Sequence, residues 1–468
     1  MGDGTEPRAT ELTNLLRLLG IALCMSGEAT SRVAAHLDDV AKAYGTTGVR
    51  FFVLPTGVFV RLTERGVSTI DFAPASGSTL RLDQISAVYD LLARVKEKDS
   101  PDQPAPEQAA RQVAEIFEAP PRRSPVTTVT GHMILVTGLG MITNPEPKAL
   151  LCYAALGVLV GLLKVTGQVF SIITEALPVV AALLVTVVAV VLAEQLHVAQ
   201  ANRLIIPALV TLLPGAALTI GSMELATGEM IAGTARLVYG LNVLLLLAFG
   251  MLVGNHVIGA PARETAGLPL GAWAPWTGVI LVGFGFFLHF SAPARSLPWL
   301  LFVLFAVWGA QAIGSSLAGG LAGAFLGGLM VTPAAYFAQS QRGGPPAQVT
   351  FLPSFWMLVP GTLGLTGVSQ LVLLGSKASL NDVSQALLTI VAISLGMMVG
   401  ASLLQTAAKP SSWLDAPPEI RSPVVTSRAM LSVPVAGVAK NVARFRPDAA
   451  YRRLVSQAAR ARRDQRDS

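Results

Sequence analysis

The chain has 468 residues, of which 52% are hydrophobic and 13% charged, against roughly 25% charged residues in a soluble globular domain. Its mean hydropathy of +0.58 excludes an ordinary soluble protein. The net charge of +6 gathers in an Arg-rich C-terminal stretch that includes Arg444, Arg446, Arg452, Arg453, Arg460, Arg462, Arg463 and Arg466. Arginines beside a membrane region mark its cytoplasmic side and attract anionic headgroups, so the basic balance is not a nucleic-acid signal.

Charges cluster at the two ends, and this divides the chain into a polar N-terminal part at 1–125, a membrane part and a basic tail at 409–468. Cys24 and Cys152 have no framework or metal-ligand spacing and read as small apolar packing residues. No metal or cofactor motif is present. The first apolar run, Leu12–Met25, follows Asp3, Glu6 and Glu11 and contains Arg17, which are the wrong flanks for a secretory signal. The N-terminus is therefore expected in the cytoplasm.

Residues 10–125 read as a small α/β domain. Leu12, Leu15, Leu16, Leu19 and Leu23 recur at helical spacing, and "SGEA" at Ser26–Ala29 ends that helix. A second helix runs to Gly45, a C-capping glycine. "VRFFVLPTGVFVRLTE" reads as a hairpin around Pro55-Thr56-Gly57, and "GVSTIDFA" as a third strand. "LDQISAVYDLLARV" and "PEQAARQVAEIFEAPP" return to helix. Glu28 and Arg32 have the i,i+4 order of a helix ion pair. Ser26, Ser31, His36, Asp38 and Asp39 supply the residue types of a hydrolytic triad. No G-x-S-x-G is present, however, and Ser31 and His36 project to different sides of one helix. These read as polar residues on a solvated face.

From 126 onward, apolar segments alternate with short polar breaks. A span takes about 20 residues, which predicts ten at 126–143, 147–164, 169–193, 203–222, 230–254, 273–291, 297–312, 314–338, 351–374 and 382–405. The expected architecture is a polytopic α-helical membrane protein with both termini inside. "LLPGAALTIG" at Leu212–Gly221 is echoed by "LVPGTLGLTG" at Leu358–Gly367. Each falls in the fourth span of five, so the two halves, 126–260 and 261–408, have opposite orientation as two inverted five-helix repeats.

Proline removes a backbone donor, and broken helices persist in membranes where they line a cavity. Pro214, Gly215, Pro360 and Gly361 are therefore candidate cavity residues. The half-helix after each break presents N–H groups to an anion, and Thr219, Ser222 and Thr362 are candidate hydrogen-bonding groups beside it. Charges inside a bilayer are costly and face a cavity or a partner. Glu175, Glu224 and Glu229 are therefore candidate site carboxylates. Arg236 pairs with Glu229, two turns away, or takes a substrate carboxylate. His132 and His289 read as packed or interfacial residues.

Three stretches carry a family resemblance. "SGEATSRVAAHLDDVAKAYG" with "FFVLPTGVFVRL", "LLPGAALTIGSMELATGEMIAGTARL" and "FWMLVPGTLGLTGV" together resemble the threonine/serine exporters of bacterial inner membranes. The resemblance covers nearly the whole chain except the tail. It implies a cytosolic N-terminal domain, ten spans and proton-driven export of threonine and serine, with Thr219, Ser222 or Thr362 bonding the substrate hydroxyl and Glu175, Glu224 or Glu229 taking its ammonium group or the coupled proton. Where Asp is expected after the Pro-Gly element, this chain has Glu224 and Glu229. The implied partners are the small substrate, protons and the bilayer, with room for a homo-oligomer and none for nucleic acid; an enzyme is not implied. The alternatives are export of another small acid such as a dicarboxylate, and a membrane-anchored hydrolase acting through residues 1–125.

Overall fold

The computed structural model describes residues 5–407, apart from 47, 65–66, 76–78, 99, 144, 168–170, 199–201, 259–267 and 359–376. Residues 5–118 form α1 (Thr5–Met25), α2 (Thr30–Ala43), β1 (Val49–Leu54), β2 (Gly57–Glu64), β3 (Val67–Pro74), α3 (Leu82–Lys96) and α4 (Pro106–Glu118). The strands make one antiparallel sheet in the order β1-β2-β3, with Val53 opposite Val58 and Val58 opposite Ala73. These residues face inward by the period-2 rule. Val53 and Val58 join Leu15, Leu19, Leu37, Ile85, Leu91 and Val113 in one buried core. That core extends beyond residue 118, because Ala292 and Val349 belong to it.

The remaining helices are apolar. They are α5 (Pro125–Ile142), α6 (Ala149–Gly167), α7 (Ser171–Gln195), α8 (Asn202–Leu209), α9 (Gly215–Ala226), α10 (Met230–Ile258), α11 (Ala274–His289), α12 (Leu297–Ala318), α13 (Gly320–Ser340), α14 (Ala347–Leu358) and α15 (Lys377–Ala407). Among the described residues seven helices are long and apolar enough to cross a membrane, and an eighth span is counted if the bent pair Arg203–Leu212 and Gly215–Ala226 is one. The protein is a polytopic membrane protein. Large apolar side chains remain exposed along α10 and α15, including Leu241, Leu245, Phe249, Leu387, Val391 and Leu395, as lipid-facing positions must.

The helices approach through glycine. α5 and α11 run antiparallel: Gly131 lies against His289, Leu135 against Gly285, and Gly138 against Val282. A Cβ at Gly138 would stand 2.7 Å from the Val282 amide nitrogen, so only glycine allows this spacing. α7 meets α10 at Gly250 and Gly254, and α13 meets α15 at Gly328, Gly396 and Gly400.

Two sequence expectations need adjusting. The predicted boundary between 312 and 314 lies instead at Gly319, the C-cap of α12 with φ +82, a positive-φ conformation that glycine adopts readily. The segment predicted at 273–291 is a 16-residue helix, shorter than a full span. The predicted segment 351–374 lies partly, and the tail at 409–468 wholly, outside the described residues.

Candidate functional site

The apolar helix from Asn202 stops in a 3-10 turn at Val210–Leu212. It restarts at Gly215 after a 64° bend. Pro214 caps α9 with φ −82 and ψ 40 and no side-chain acceptor. The first bond of the new ladder is Leu218 N–H to Pro214 O at 3.0 Å. The amides before Leu218 therefore have no partner within the helix. Leu213, Pro214 and Gly215 are all buried. One turn further on, the Thr219 hydroxyl is fully buried and has no hydrogen-bond partner among the described residues.

α9 then packs against α10 through two glycines. A Cβ at Gly221 would meet the Gly233 carbonyl at 3.0 Å, and one at Gly233 the Gly221 carbonyl at 2.7 Å. Three residues beyond each glycine stand Glu224 and Arg236, and Arg236 Nε donates to Glu224 Oε2 at 3.0 Å. Glu224 is 1% exposed and the Arg236 side chain 12%. The expected partner, Glu229, does not make this pair. It precedes α10 in a tight turn, its amide bonded to Glu224 O at 2.8 Å, so counting turns along one helix from Arg236 does not apply to it.

The second oxygen of Glu224 leaves the apolar helices altogether. Oε1 accepts from Thr30 N at 2.9 Å and from Thr30 Oγ1 at 3.0 Å. Local chemistry brings Thr30 there. Helix α1 ends at Gly27, with φ +72, while Glu28 N–H reaches back to Leu23 O and Gly27 N–H to Cys24 O. This left-handed stop reverses the chain. The next residue but one, Ala29, is the N-cap of α2 and has no side-chain acceptor. The Glu224 carboxylate takes that place at the positive end of the helix.

The turn is held from other sides. Arg236 Nη2 donates to Glu28 O at 2.9 Å, and Gln348 Nε2 of α14 to Ser26 O at 3.1 Å. The buried Glu28 carboxylate accepts from Arg32 Nε at 3.0 Å and from the Tyr89 hydroxyl. Burial and that carboxylate push the Tyr89 phenol well above its ordinary range, which keeps it a donor. Arg32 lies over the Tyr336 ring of α13.

A second polar group lies nearby in the chain's topology. Lys164, in the last turn of α6, donates to His289 Nε2 at 3.1 Å. His289 Nδ1 donates to Thr128 O. The His289 ring is 4.9 Å from that of His132, whose Nδ1 donates to Gly157 O and whose Nε2 meets Thr211 Oγ1 at 2.9 Å. Backbone carbonyls only accept, so each ring carries its proton on Nδ1. The string ends in the 3-10 turn that precedes the break.

Among the other expected site residues, Ser222 is half-buried on α9, Glu229 half-buried in its turn, and Glu175 exposed near the start of α7. Pro360, Gly361 and Thr362 lie outside the described residues. Neither Ser26 nor Ser31 meets a histidine among the described residues. Ser26 Oγ donates to Ala22 O at 2.7 Å, and His36 Nδ1 accepts from Lys96 Nζ at 2.8 Å. Sequence reasoning missed Thr30, Gln348, Tyr89 and Lys164. The signal for Thr30 was Ala29, an N-cap with nothing to accept a bond.

The apolar helices, the buried break and the buried ion pair describe a polytopic membrane protein with a polar site inside it. The chain belongs to the family described as "Putative threonine/serine exporter" (ThrE), whose model matches residues 14–258. The match takes in Thr30, the break, Glu224 and Arg236; Tyr336 and Gln348 lie beyond it. The chain is also 26% identical over 245 residues to an uncharacterized protein of Schizosaccharomyces pombe, a match covering 51% of this chain and 32% of that protein. The chain thus spans about a third of that relative's length. No solved structure matches it.

Proposed function

We propose that the protein exports threonine and serine from the cytoplasm across a bacterial inner membrane in exchange for protons. The observation that carries this reading is the Glu224–Arg236 pair, buried and of opposite sign, at the end of a broken helix. A zwitterionic amino acid presents an ammonium group and a carboxylate, which this pair complements in charge and geometry. Arg236 is already balanced by Glu224, so the pair has no surplus cation for the second carboxylate of a dicarboxylate.

In this reading the substrate passes two stations. Glu224 is nine residues along α9 from Gly215, about 13 Å at the helical rise. The pair is the entry on the side of residues 5–118. The break is the inner station, with the first amides of α9, which have no partner within the helix, and the Thr219 hydroxyl, which has none among the described residues. There the amides take the carboxylate, and Thr219 matches the substrate hydroxyl. A site built to bond a hydroxyl rejects valine and alanine, because the unmatched buried group is costly. Glu224 also serves coupling, since a carboxylate that holds either an ammonium group or a proton exchanges one for the other. Glu229 and Glu175 are the secondary candidates for that proton.

Ten spans in two inverted halves, with both termini cytoplasmic, suit this mechanism. What supports two related halves is matched partnering: α7 with α10 and α13 with α15, α5 with α6 and α11 with α12. The antiparallel α5–α11 contact lies where the halves would meet. By this reading Pro360, Gly361 and Thr362 form the counterpart of the Pro214 break.

The test is efflux of labelled threonine, serine and succinate from proteoliposomes, with and without a proton gradient. Gradient-dependent efflux of the two hydroxy-amino acids, without succinate, is the expected result. Efflux of succinate alone would sink the reading.

A further inference from the structure

We infer that Thr30 is a tethered stand-in for the transported amino acid, and that the turn bearing it closes the entry station until free threonine displaces it. This rests on the exporter reading and adds the recognition contacts and their regulation.

The N–Cα–Cβ–Oγ1 unit of Thr30 is the amino-alcohol unit of free threonine and serine. Both of its donors converge on one oxygen, Glu224 Oε1, at 2.9 and 3.0 Å. Two residues upstream, the Glu28 carbonyl oxygen accepts from Arg236 Nη2 at 2.9 Å. A free amino acid has the same three groups in one molecule: ammonium and hydroxyl for Glu224, and a carboxylate oxygen for Arg236. The stand-in is the weaker ligand group for group. An amide N–H replaces an ammonium, and a neutral carbonyl replaces a carboxylate, and bonds with an ion on both sides are roughly twice as strong. The free ligand therefore competes with a contact of its own shape. The tether offsets this by a high effective concentration.

The turn is arranged to leave and return as a unit. Gly27 and the back-bonded Glu28 amide fix its shape from the α1 side, and the Arg32 and Tyr89 bonds to Glu28 hold it from within residues 5–118. Thr30, Glu28 O and Ser26 O hydrogen-bond to the apolar helices at Glu224, Arg236 and Gln348, and Arg32 adds its contact with the Tyr336 ring. Withdrawal breaks these bonds and leaves the turn intact. Valine lacks the hydroxyl and competes poorly, so the closure is selective for the amino acids to be exported.

The test uses the full-length protein in nanodiscs and in proteoliposomes. Hydrogen exchange at the Thr30 amide is expected to accelerate at least tenfold in saturating L-threonine and to stay unchanged in L-valine. An unchanged or slower rate with threonine overturns the inference, whether or not the protein transports. In efflux assays Thr30→Val is expected to lower the internal threonine concentration for half-maximal rate by about tenfold, the range of a bond to a charged group, and Thr30→Ser to keep the wild-type value. Threonine efflux with an unaltered half-saturation point in Thr30→Val sinks the closure and leaves the exporter reading standing. Absence of threonine efflux from wild type and variants alike sinks the exporter reading, while the exchange measurement still decides whether the turn yields to threonine.

Discussion

Arg236 is shared between Glu224 and the Glu28 carbonyl, with Nε at 3.0 Å from the carboxylate and Nη2 at 2.9 Å from the carbonyl. One guanidinium thus touches an apolar helix and a turn 208 residues upstream. A planar fork with several fixed donors can do this; a lysine ammonium is a single point charge.

Removing one member of this pair leaves the other buried and uncompensated. Glu224→Gln is expected to destabilise the protein by about 3–5 kcal/mol and to cut threonine efflux at least tenfold. Combining it with Arg236→Met restores most of the stability, because both charges are gone, but not the efflux. Thermal unfolding in detergent and efflux from proteoliposomes read the two separately. Full efflux in the double variant would exclude the pair from transport.

Gly233 sets the distance that makes the pair. A methyl group there meets the Gly221 carbonyl at 2.7 Å and the Leu225 amide nitrogen at 2.8 Å, and backbone cannot yield as a side chain does. Gly233→Ala is expected to cost about 1–3 kcal/mol of stability and most of the efflux. Gly309→Ala, on α12 with open space around it, is the control that should change neither.

Thr219→Val keeps shape and removes a buried hydroxyl with no partner among the described residues. Removing an unsatisfied group is expected to raise stability by about 1 kcal/mol. If the hydroxyl recognises substrate, the same change lowers the preference for threonine over valine at least tenfold. Competition of unlabelled valine against labelled threonine checks it, and an unchanged preference removes Thr219 from recognition.

His36 gives residues 5–118 an acid sensitivity. Burial, and then the neighbouring Lys96 ammonium, lower its pKa from 6.5 to about 4. The folded state holds it neutral, so the stabilisation is present above 6.5 and is lost as pH falls from there toward 4. Between pH 7 and pH 5 the loss is about 2 kcal/mol by linkage. Melting of the full-length protein in detergent should show it, and His36→Gln should flatten the profile over that interval.

Much of the architecture was readable because lipid imposes a simple rule. Long apolar runs such as Glu175–Gln195 and Met230–Ile258 must be helices, and Pro214-Gly215 inside such a run must break one. Residues 5–118 were readable from period and turn chemistry. The site was only half readable. Glu224 and Arg236 each stand three residues after a glycine, yet nothing local says that Gly221 and Gly233 touch. The pairing with Glu229 followed from assuming one continuous helix where a turn intervenes. Thr30 and Lys164 were out of reach because their partners lie 194 and 125 residues away, a tertiary fact that no window along the chain contains.

The uncapped start of α2 also dates the order of assembly. Thr30 is synthesised 194 residues before Glu224, an interval of roughly 10–40 s at ordinary elongation rates. Through that interval the first amide of α2 lacks the acceptor that it has in the folded protein. It is satisfied once α9 is inserted with its Glu224 end toward the same side. Correct insertion of the fourth apolar segment is thereby registered in a part of the chain that left the ribosome long before. A protein with that segment misplaced would carry an open, protease-sensitive turn at Ser26–Thr30.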